Sequence, residues 1–175
     1  EPLFSTVRIC ALLGWLDEWK ARPFFLFFHL YEPHTPYQPP ADLAGPGVHP
    51  YDGEIAAADR AVGELLAALD RLGLYDQALV DLLSDHGEGL GEHGEEEHGF
   101  LLYREAIQVP LIVKLPGSQR AGTRVAEPVQ QIDLYPTILD WLGLKPPQRV
   151  SGRSLVPELL GSGSGPERAL YSETL

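Results

Sequence analysis

The amino-acid sequence predicts an α/β fold, with a mostly parallel sheet flanked by helices. Residues 24–30 and 78–83 are short apolar segments of strand length, and a longer helical pattern separates them. Each apolar segment ends in a polar turn, one carrying His34 and the other carrying Asp85 and His86. Because a strand–helix–strand unit joins parallel neighbours, the sequence predicts that these three side chains share one edge of the sheet.

Two helices are predicted before the second strand. In residues 7–20 apolar positions recur at helical spacing, and Cys10 within that segment is expected to be a buried, inert thiol. Residues 55–72 form an amphipathic pattern, for which Asp52 is the expected N-cap and Gly73 the expected end. The apolar positions of this second helix are Ile55, Ala58, Val62, Leu65, Leu66, Leu69 and Leu72.

The second half of the chain is predicted to contain shorter elements. Residues 109–115 form a third strand candidate, and residues 129–132 form a brief fourth. A helix is expected over residues 133–143, with Asp133 as its N-cap and Gly143 as its end. A last short strand is expected near the C-terminus, over residues 169–172.

Composition excludes several classes of function. The 175 residues carry 13 Lys and Arg against 25 Asp and Glu, a formal charge of −12. Phosphate backbones bind clustered basic side chains, so no nucleic acid is expected as a partner. No segment is long and apolar enough for a transmembrane helix. The single cysteine excludes a disulfide framework within the chain.

Two polar segments carry candidate site residues. Asp85 and His86 are the first reactive side chains after a predicted strand, and a glycine-rich stretch follows them. A carboxylate oxygen beside an imidazole suits a divalent cation, so this turn is a candidate metal site. His34 lies between Pro33 and Pro36, which restrict the backbone and suit a catalytic or oxyanion-binding histidine. His29, inside the apolar segment, is interpreted as a core histidine.

Several motifs of this chain occur together and in a fixed order. They are residues 84–88 (Ser-Asp-His-Gly-Glu), 91–94 (Gly-Glu-His-Gly), 98–99 (His-Gly) and 102–105 (Leu-Tyr-Arg-Glu), leading into 109–113 (Val-Pro-Leu-Ile-Val). Over roughly residues 24–144 this set resembles the metal-binding half of a sulfatase, one of the alkaline-phosphatase-like hydrolases. The resemblance implies an alkaline-phosphatase-like fold and an enzyme that hydrolyses sulfate esters.

The resemblance also implies roles for individual residues. Asp85 and His86 match one pair of the family's metal ligands, and His34 matches a histidine that contacts the ester oxygen of the substrate. His98 stands where relatives place a Lys or His that touches the anionic oxygens of the substrate. His93 and Glu88 are expected to support these residues without touching metal or substrate themselves.

A divalent cation is the implied cofactor, with Ca²⁺ as the family-based expectation. Zn²⁺ and Mn²⁺ stay open, because His34, His86, His93 and His98 are expected close together and imidazole suits those ions. The implied partner is a small-molecule or glycan sulfate ester. The implied location is the periplasm or the exterior of the cell.

One family motif has no counterpart upstream of the first predicted strand. Relatives carry, upstream of the first strand, a Cys- or Ser-x-Pro-x-Arg nucleophile whose first residue becomes formylglycine. Cys10 is followed by Ala-Leu-Leu-Gly and Ser5 by Thr-Val-Arg, so no nucleophile is assigned. Residues 1–175 are therefore predicted to be a partial catalytic domain without its N-terminal part, inactive alone. Its core is expected at about 22–144, and 145–175 form a loop-rich C-terminal part.

Three functions fit these observations. The first is a calcium-dependent sulfatase. The second is a phosphoester or phosphonate hydrolase, or a phosphoethanolamine transferase, with the same fold, a Ser or Thr nucleophile and transition metals. The third is a non-catalytic domain that binds a cation. The identity of the bound metal distinguishes the first function from the second. Assays with aryl sulfate and aryl phosphate distinguish both enzymatic functions from the third.

Overall fold

A computed structural model of the chain describes residues 4–95, 97–163 and 165–174. The chain divides into two compact units, Glu1–Ala78 and Leu79–Leu175. The first unit is helical, and the second contains a small sheet with several short helices. The prediction of one partial catalytic domain with its core at 22–144 is not tested by this division.

In the first unit, α1 (Phe4–Trp19) packs against α2 (Pro50–Arg71). Ile9 and Leu16 are almost completely buried, and a separation of seven residues places them on one helix face. The predicted first helix is thus confirmed. Cys10 is exposed, so the prediction of a buried thiol is wrong. The buried face contains Ile9 rather than its neighbour, and one residue along a helix is a rotation of about 100°.

The start of α2 differs from the prediction, and its end agrees with it. Pro50 occupies the first turn, where its missing N–H is no loss. His49 is the N-cap, and its Nδ1 accepts a hydrogen bond from the Tyr51 N–H at 3.3 Å. Asp52, the predicted cap, lies inside the first turn instead. Gly73, with a φ of +70°, follows the end of the helix as predicted.

The buried face of α2 consists largely of small side chains. Ala57, Ala61 and Ala68 are buried, together with Leu69. Short side chains allow a neighbouring helix to approach closely, which fits the packing of α1 on α2. Ile55 was predicted to lie on the apolar face, but it is 44% exposed.

Residues 24–30 do not belong to a sheet in the described ranges. Their side chains alternate in burial, and Phe25 and Phe27 are 72% and 77% exposed. Phe24 packs edge-on against Trp15, with ring centroids 5.3 Å apart. The prediction of a strand covered on both faces is therefore wrong for this segment. An apolar sequence favours burial, but a strand also needs a neighbouring backbone for its hydrogen bonds.

The second unit contains the only sheet among the described residues, formed by β1 (Val80–Leu83) and β2 (Leu111–Lys114). Both strands lie within the segments predicted for them. They run antiparallel, with Val80 opposite Lys114. The mostly parallel sheet is not confirmed, because this pair is antiparallel. Strand direction depends on the path of the chain between the strands, and the apolar pattern does not encode that path.

Short helices and turns complete the second unit. The helices are α3 (Arg104–Ile107), α4 (Leu134–Trp141) and α5 (Val156–Leu160), and 3₁₀ turns span Glu92–Gly94, Pro116–Ser118 and Gln131–Asp133. The helix predicted at 133–143 is confirmed by α4, with Gly143 just beyond it. No strand forms at 129–132 or 169–172, and the first of these segments enters a 3₁₀ turn. None of the helices in the described ranges combines the length and apolar character that a bilayer span requires.

Asp133 is the buried polar centre of the second unit, with no exposed surface. Its carboxylate accepts hydrogen bonds from the N–H groups of Gln130 at 2.9 Å and Arg153 at 3.0 Å, and from two guanidinium nitrogens of Arg168. Burial raises the pKa of this carboxyl, but the hydrogen bonds outweigh burial and hold the pKa below its usual value. Asp133 occupies the N-cap position of α4, as predicted. Its side chain makes no capping hydrogen bond to α4 and closes the preceding 3₁₀ turn instead.

Candidate metal and substrate site

The turn after β1, residues 84–88, is held by hydrogen bonds of its own. The Ser84 hydroxyl donates to the His86 carbonyl at 2.5 Å, and the His86 N–H donates to Asp85 Oδ1 at 3.1 Å. The Asp85 side chain is 78% exposed, and its Oδ2 lies 3.8 Å from His86 Nε2. One carboxylate and one imidazole are therefore presented side by side where the strand ends.

At Gly87 the backbone of this turn packs directly against α3. Its N–H donates to the Ala106 carbonyl oxygen at 2.8 Å. A Cβ at this position would lie 1.9 Å from the Glu105 carbonyl oxygen, far inside van der Waals contact. Only glycine allows the two backbones to come so close, so Gly87 fixes the turn relative to α3.

His98 contacts the turn from a later part of the chain. Its ring stacks on His86, with ring centroids 3.8 Å apart. Its Nδ1 donates to Glu88 Oε1 at 2.9 Å, and the Glu88 side chain is only 5% exposed. A carboxylate at Nδ1 orients an imidazole and decides which nitrogen carries the proton. The structure thus gathers His86, Glu88 and His98 into one cluster; the roles predicted for them are still predictions.

His93 belongs to a separate cluster, with Tyr103 and Glu105. Its ring stacks on Tyr103 with centroids 3.7 Å apart, and its Nε2 lies 3.3 Å from Glu105 Oε1. That buried oxygen accepts no hydrogen bond from any described residue. Because Glu105 belongs to α3, His93 contacts the helix against which Gly87 is packed. This position suits a supporting residue, the role predicted for His93.

His34 lies in the first unit, where Tyr31 orients it. The two rings stack with centroids 4.6 Å apart, and His34 Nδ1 lies 2.7 Å from the Thr35 carbonyl oxygen. A carbonyl oxygen only accepts hydrogen bonds, so Nδ1 carries the proton and Nε2 has the lone pair in the neutral ring. Asp85 and His86 belong to the other unit, so a shared sheet edge with His34 stays a prediction.

Two other side chains of the first unit differ from what the sequence indicated. His29, interpreted as a core residue, is exposed. Glu54 is only 5% exposed, although it is charged and lies on α2. Its Oε1 accepts a hydrogen bond from the Gln38 N–H at 2.6 Å, which ties the segment following His34 to the helix. Helical spacing alone gave no sign that Glu54 would be buried.

Asp85 and His86 fit a divalent cation by the chemistry of their donor atoms. Carboxylate oxygen is the ligand that Ca²⁺ prefers, and imidazole nitrogen suits Zn²⁺ and Mn²⁺ better. Within the described residues, no group of three or more His, Cys, Asp or Glu side chains is arranged to hold a metal. These residues therefore offer two ligands rather than a complete coordination shell.

Gln131 and Glu105 contribute to the site without having been predicted. Gln131 donates from its side-chain Nε2 to the carbonyl oxygens of Ser84 at 2.9 Å and Asp85 at 2.5 Å. Nothing in the sequence marks a glutamine so far along the chain as a partner of this turn. Glu105 lies in the quoted motif at 102–105, and that motif was the one signal that could have identified it.

Similar solved structures place this fold among the alkaline-phosphatase-like hydrolases. A phosphonate monoester hydrolase from Silicibacter pomeroyi is 39% identical, with a TM-score of 0.62 over 68% of this chain and 23% of that chain. A protein solved in complex with its substrate D-glucosamine-2-N,6-O-disulfate is 34% identical. Its TM-score is 0.60 over 66% of this chain and 23% of that chain.

Within that class the chain belongs to the sulfatase family, whose model, described as Sulfatase, matches residues 9–144. Steryl-sulfatase from Rattus norvegicus is 38% identical over 172 residues, covering 89% of this chain and 30% of the relative. The resemblance predicted from the motifs is confirmed. Sulfatases generally use a divalent metal. The chain spans less than a third of the length of this relative and less than a quarter of the two solved structures.

Proposed function

We propose that this protein is a metal-dependent hydrolase of sulfate esters, and that Asp85, His86 and His98 belong to its active site. Membership of the sulfatase family supports the class of reaction. The observation that supports the residue assignments is the stacking of His98 on His86 beside the exposed Asp85 carboxylate, with Glu88 buried at His98 Nδ1. A buried carboxylate that orients an exposed cluster of ligand-type side chains is typical of a metal or anion site.

Each residue of the cluster has a specific task in this proposal. A bound divalent cation would neutralise the charge of the sulfate oxygens and lower the pKa of the nucleophile. Asp85 and His86 would contribute two of its ligands. His98 would bind an anionic oxygen of the substrate, and Glu88 would hold the His98 ring in the required orientation. None of these tasks supplies the nucleophile.

His34 would act at the leaving group. In the family motif that this segment matches, the histidine contacts the ester oxygen of the substrate. An imidazolium there would donate its Nε2 proton to that oxygen as the bond breaks, while Nδ1–H keeps its hydrogen bond to the Thr35 carbonyl. The hydrogen bond from Nδ1 to the Thr35 carbonyl and the stacked Tyr31 ring restrict the imidazole to one orientation. A fixed ring loses little conformational entropy when substrate binds.

The proposed ion is Ca²⁺, and the proposed substrate is a small-molecule or glycan sulfate ester. The exposed Asp85 carboxylate supports a hard cation, whereas the paired histidines favour Zn²⁺ or Mn²⁺. Two relatives support a sulfated substrate by their names alone: a steryl-sulfatase and the protein crystallised with D-glucosamine-2-N,6-O-disulfate. These two differ in the part of the substrate that carries the sulfate.

A second candidate function is the hydrolysis of phosphonate or phosphate monoesters. The similar phosphonate monoester hydrolase from Silicibacter pomeroyi supports it, at 39% identity over 68% of this chain. The same cluster could serve both reactions, because both substrates present anionic oxygens to a cation. A third candidate, a domain that binds a cation without turnover, predicts no hydrolysis of any ester.

The test is an assay of the full-length gene product with aryl sulfate, aryl phosphate and aryl phosphonate esters, together with metal analysis of the purified protein. We expect the highest kcat/KM for the sulfate ester and bound calcium. Asp85→Asn should lower kcat/KM by at least about a hundredfold, because the ion loses a charged ligand. His98→Ala should also lower kcat, because the substrate loses a contact to one of its anionic oxygens.

Asp70→Asn is the matched control, since Asp70 is an exposed carboxylate at the C-terminal end of α2. Its kcat/KM should equal that of the parent protein. Faster hydrolysis of the phosphorus esters with bound transition metal would favour the second candidate function. Absence of turnover with all three esters would contradict both enzymatic functions.

A further inference from the structure

We infer that Gln131 is a positioning residue for the proposed metal site, because its side-chain amide fixes the backbone of the turn that carries Asp85 and His86. Gln131 Nε2 lies 2.9 Å from the carbonyl oxygen of Ser84 and 2.5 Å from that of Asp85. The two hydrogens of one NH₂ group thus serve two successive carbonyl groups. The inference rests on the proposed function, since it takes Asp85 and His86 to be metal ligands.

Two successive carbonyl groups determine the backbone geometry of the residue between them. The Ser84 carbonyl belongs to the planar peptide group that precedes the Cα of Asp85, and the Asp85 carbonyl belongs to the one that follows it. The orientations of these two planes define φ and ψ of Asp85. They also define the direction of its Cα–Cβ bond, from which the carboxylate extends. Gln131 therefore controls the direction in which the Asp85 side chain, a proposed metal ligand, leaves the backbone.

Other contacts hold the far side of the turn but leave these two carbonyls without support. Gly87 is fixed by its hydrogen bond to the Ala106 carbonyl and by its close approach to Glu105. Within the described residues, only Gln131 donates a hydrogen bond to the Ser84 and Asp85 carbonyls. Loss of the Gln131 amide would leave the backbone at Ser84 and Asp85 without its hydrogen bonds, while Gly87 would stay in place against α3.

The backbone of Gln131 is itself rigidly placed. It begins the 3₁₀ turn that the Gln130 and Asp133 side chains close reciprocally, each accepting from the backbone N–H of the other. Asp133 is buried and bound by Arg168. A Cβ on Gly152 would lie 1.9 Å from the Ile132 carbonyl oxygen, so a second backbone packs directly on this turn. A long side chain on a rigid base holds its target more exactly than one on a loop.

The test is hydrogen–deuterium exchange of the metal-free, full-length protein, comparing the parent with Gln131→Met. Methionine has a similar length but donates no hydrogen bond. We expect amides in residues 84–91 to exchange about tenfold faster, because two hydrogen bonds are lost while the amides of β1 and β2 keep their rates. Titration with Ca²⁺ by calorimetry should show a dissociation constant raised by about tenfold.

Gln119→Met is the matched control, because Gln119 is an exposed glutamine without a side-chain hydrogen bond among the described residues. It should leave both readouts unchanged. If Gln131→Met does not fold, Gln131→Asn takes its place, since the shorter amide cannot reach both carbonyls. Unchanged exchange in residues 84–91 would overturn the inference, and so would equal acceleration throughout β1 and β2.

The outcome is separable from that of the proposed function. If the parent protein hydrolyses none of the three esters, the proposed function fails, while the exchange rates still decide whether Gln131 positions the turn. If exchange increases locally but the calcium dissociation constant does not change, Gln131 orders the turn without positioning a ligand. That result would overturn the inference and leave the proposed function standing.

Discussion

At the scale of single residues, Asp133 and Arg168 form a buried ion pair in the second unit. Asp133 has no exposed surface, whereas the Arg168 side chain is 21% exposed. The carboxylate accepts four hydrogen bonds, two from Arg168 and two from backbone N–H groups. A buried charge without partners costs several kcal/mol, so these contacts stabilise the unit only as a complete set.

Arg168→Met should therefore destabilise the protein. The variant leaves the Asp133 carboxylate buried with only its two backbone donors. Removing one partner from a buried ion pair costs about 3 to 5 kcal/mol, and we expect about 3 because Arg168 is partly exposed. The measurement is urea unfolding of the full-length protein at neutral pH, followed by a probe in the second unit.

Arg60→Met provides the control for this substitution. Arg60 donates to Asp42 at 2.6 Å, but both side chains are about half exposed or more, at 47% and 64%. Exposed ion pairs contribute about 0 to 1 kcal/mol, so this variant should unfold at nearly the parental urea concentration. Equal losses in the two variants would show that burial of Asp133 does not strengthen its ion pair.

At the scale of elements, the turn after β1 depends on how closely it packs against α3. Gly87 contributes the hydrogen bond to Ala106, and the absence of a Cβ lets the turn contact the Glu105 carbonyl. Glu105 also contacts His93, and His98 stacks on the turn at His86. A displacement of the turn from α3 would therefore disturb both histidine clusters.

Gly87→Ala should displace the turn. The new Cβ would lie 1.9 Å from a backbone oxygen, which cannot rotate away as a side chain can. Overpacking of this kind costs about 1 to 3 kcal/mol, and we also expect weaker metal binding, since Asp85 and His86 lie on the displaced segment. Thermal unfolding and calcium titration of the full-length protein measure the two effects.

Gly63→Ala is the corresponding control. Gly63 lies in α2 with open space where a Cβ would be placed, and alanine favours a helix by about 0.5 to 1 kcal/mol over glycine. This variant should unfold at a slightly higher temperature and bind calcium normally. A Gly87→Ala variant with an equally high unfolding temperature and normal calcium binding would mean that the turn can move away from α3 without loss of stability.

At the scale of the whole molecule, we expect that the chain carries only some of the residues that the proposed reaction requires. Two proposed ligands, Asp85 and His86, lie in it, and no group of three or more His, Cys, Asp or Glu side chains among the described residues is arranged to hold a metal. Upstream of residue 24 the sequence also has no Cys- or Ser-x-Pro-x-Arg segment. Family membership covers residues 9–144, which amount to less than a third of the length of the rat steryl-sulfatase.

Residues 1–175 expressed alone should therefore bind calcium weakly and turn over no ester. Calcium affinity rises with the number of charged oxygen ligands, and sites with few of them have dissociation constants of roughly 0.1 to 1 mM. Loss of a nucleophile costs on the order of a millionfold in rate. Calorimetry and an aryl sulfate assay on the purified chain measure both quantities, with the full-length gene product as control. Micromolar binding with repeated turnover would show that the residues of the site have been misassigned.

Patterns within short stretches of sequence correctly predicted several elements. Helical spacing located α1 and α2, and the segment from Asp133 to Gly143 predicted α4. Apolar segments located β1 and β2, and the motif order identified the family. These predictions succeed because helical periodicity and strand length act between neighbours a few residues apart. The motif at 84–88 also identified the turn on which the structure gathers His86, Glu88 and His98.

Those short sequence patterns could not predict contacts between distant segments. Gln131 binds a carbonyl 46 residues away, and Arg168 binds a carboxylate 35 residues away, so neither partner is visible in a local window. Cys10 faces solvent and Ile9 the interior, because the helix face that is buried depends on where α2 packs. The direction of β2 against β1 likewise follows from the path of the intervening chain. Sequence therefore determined α1, α2, α4, β1, β2 and the family. The packing of remote segments determined which other apolar segments form strands, the direction of β2 against β1 and the support of the site.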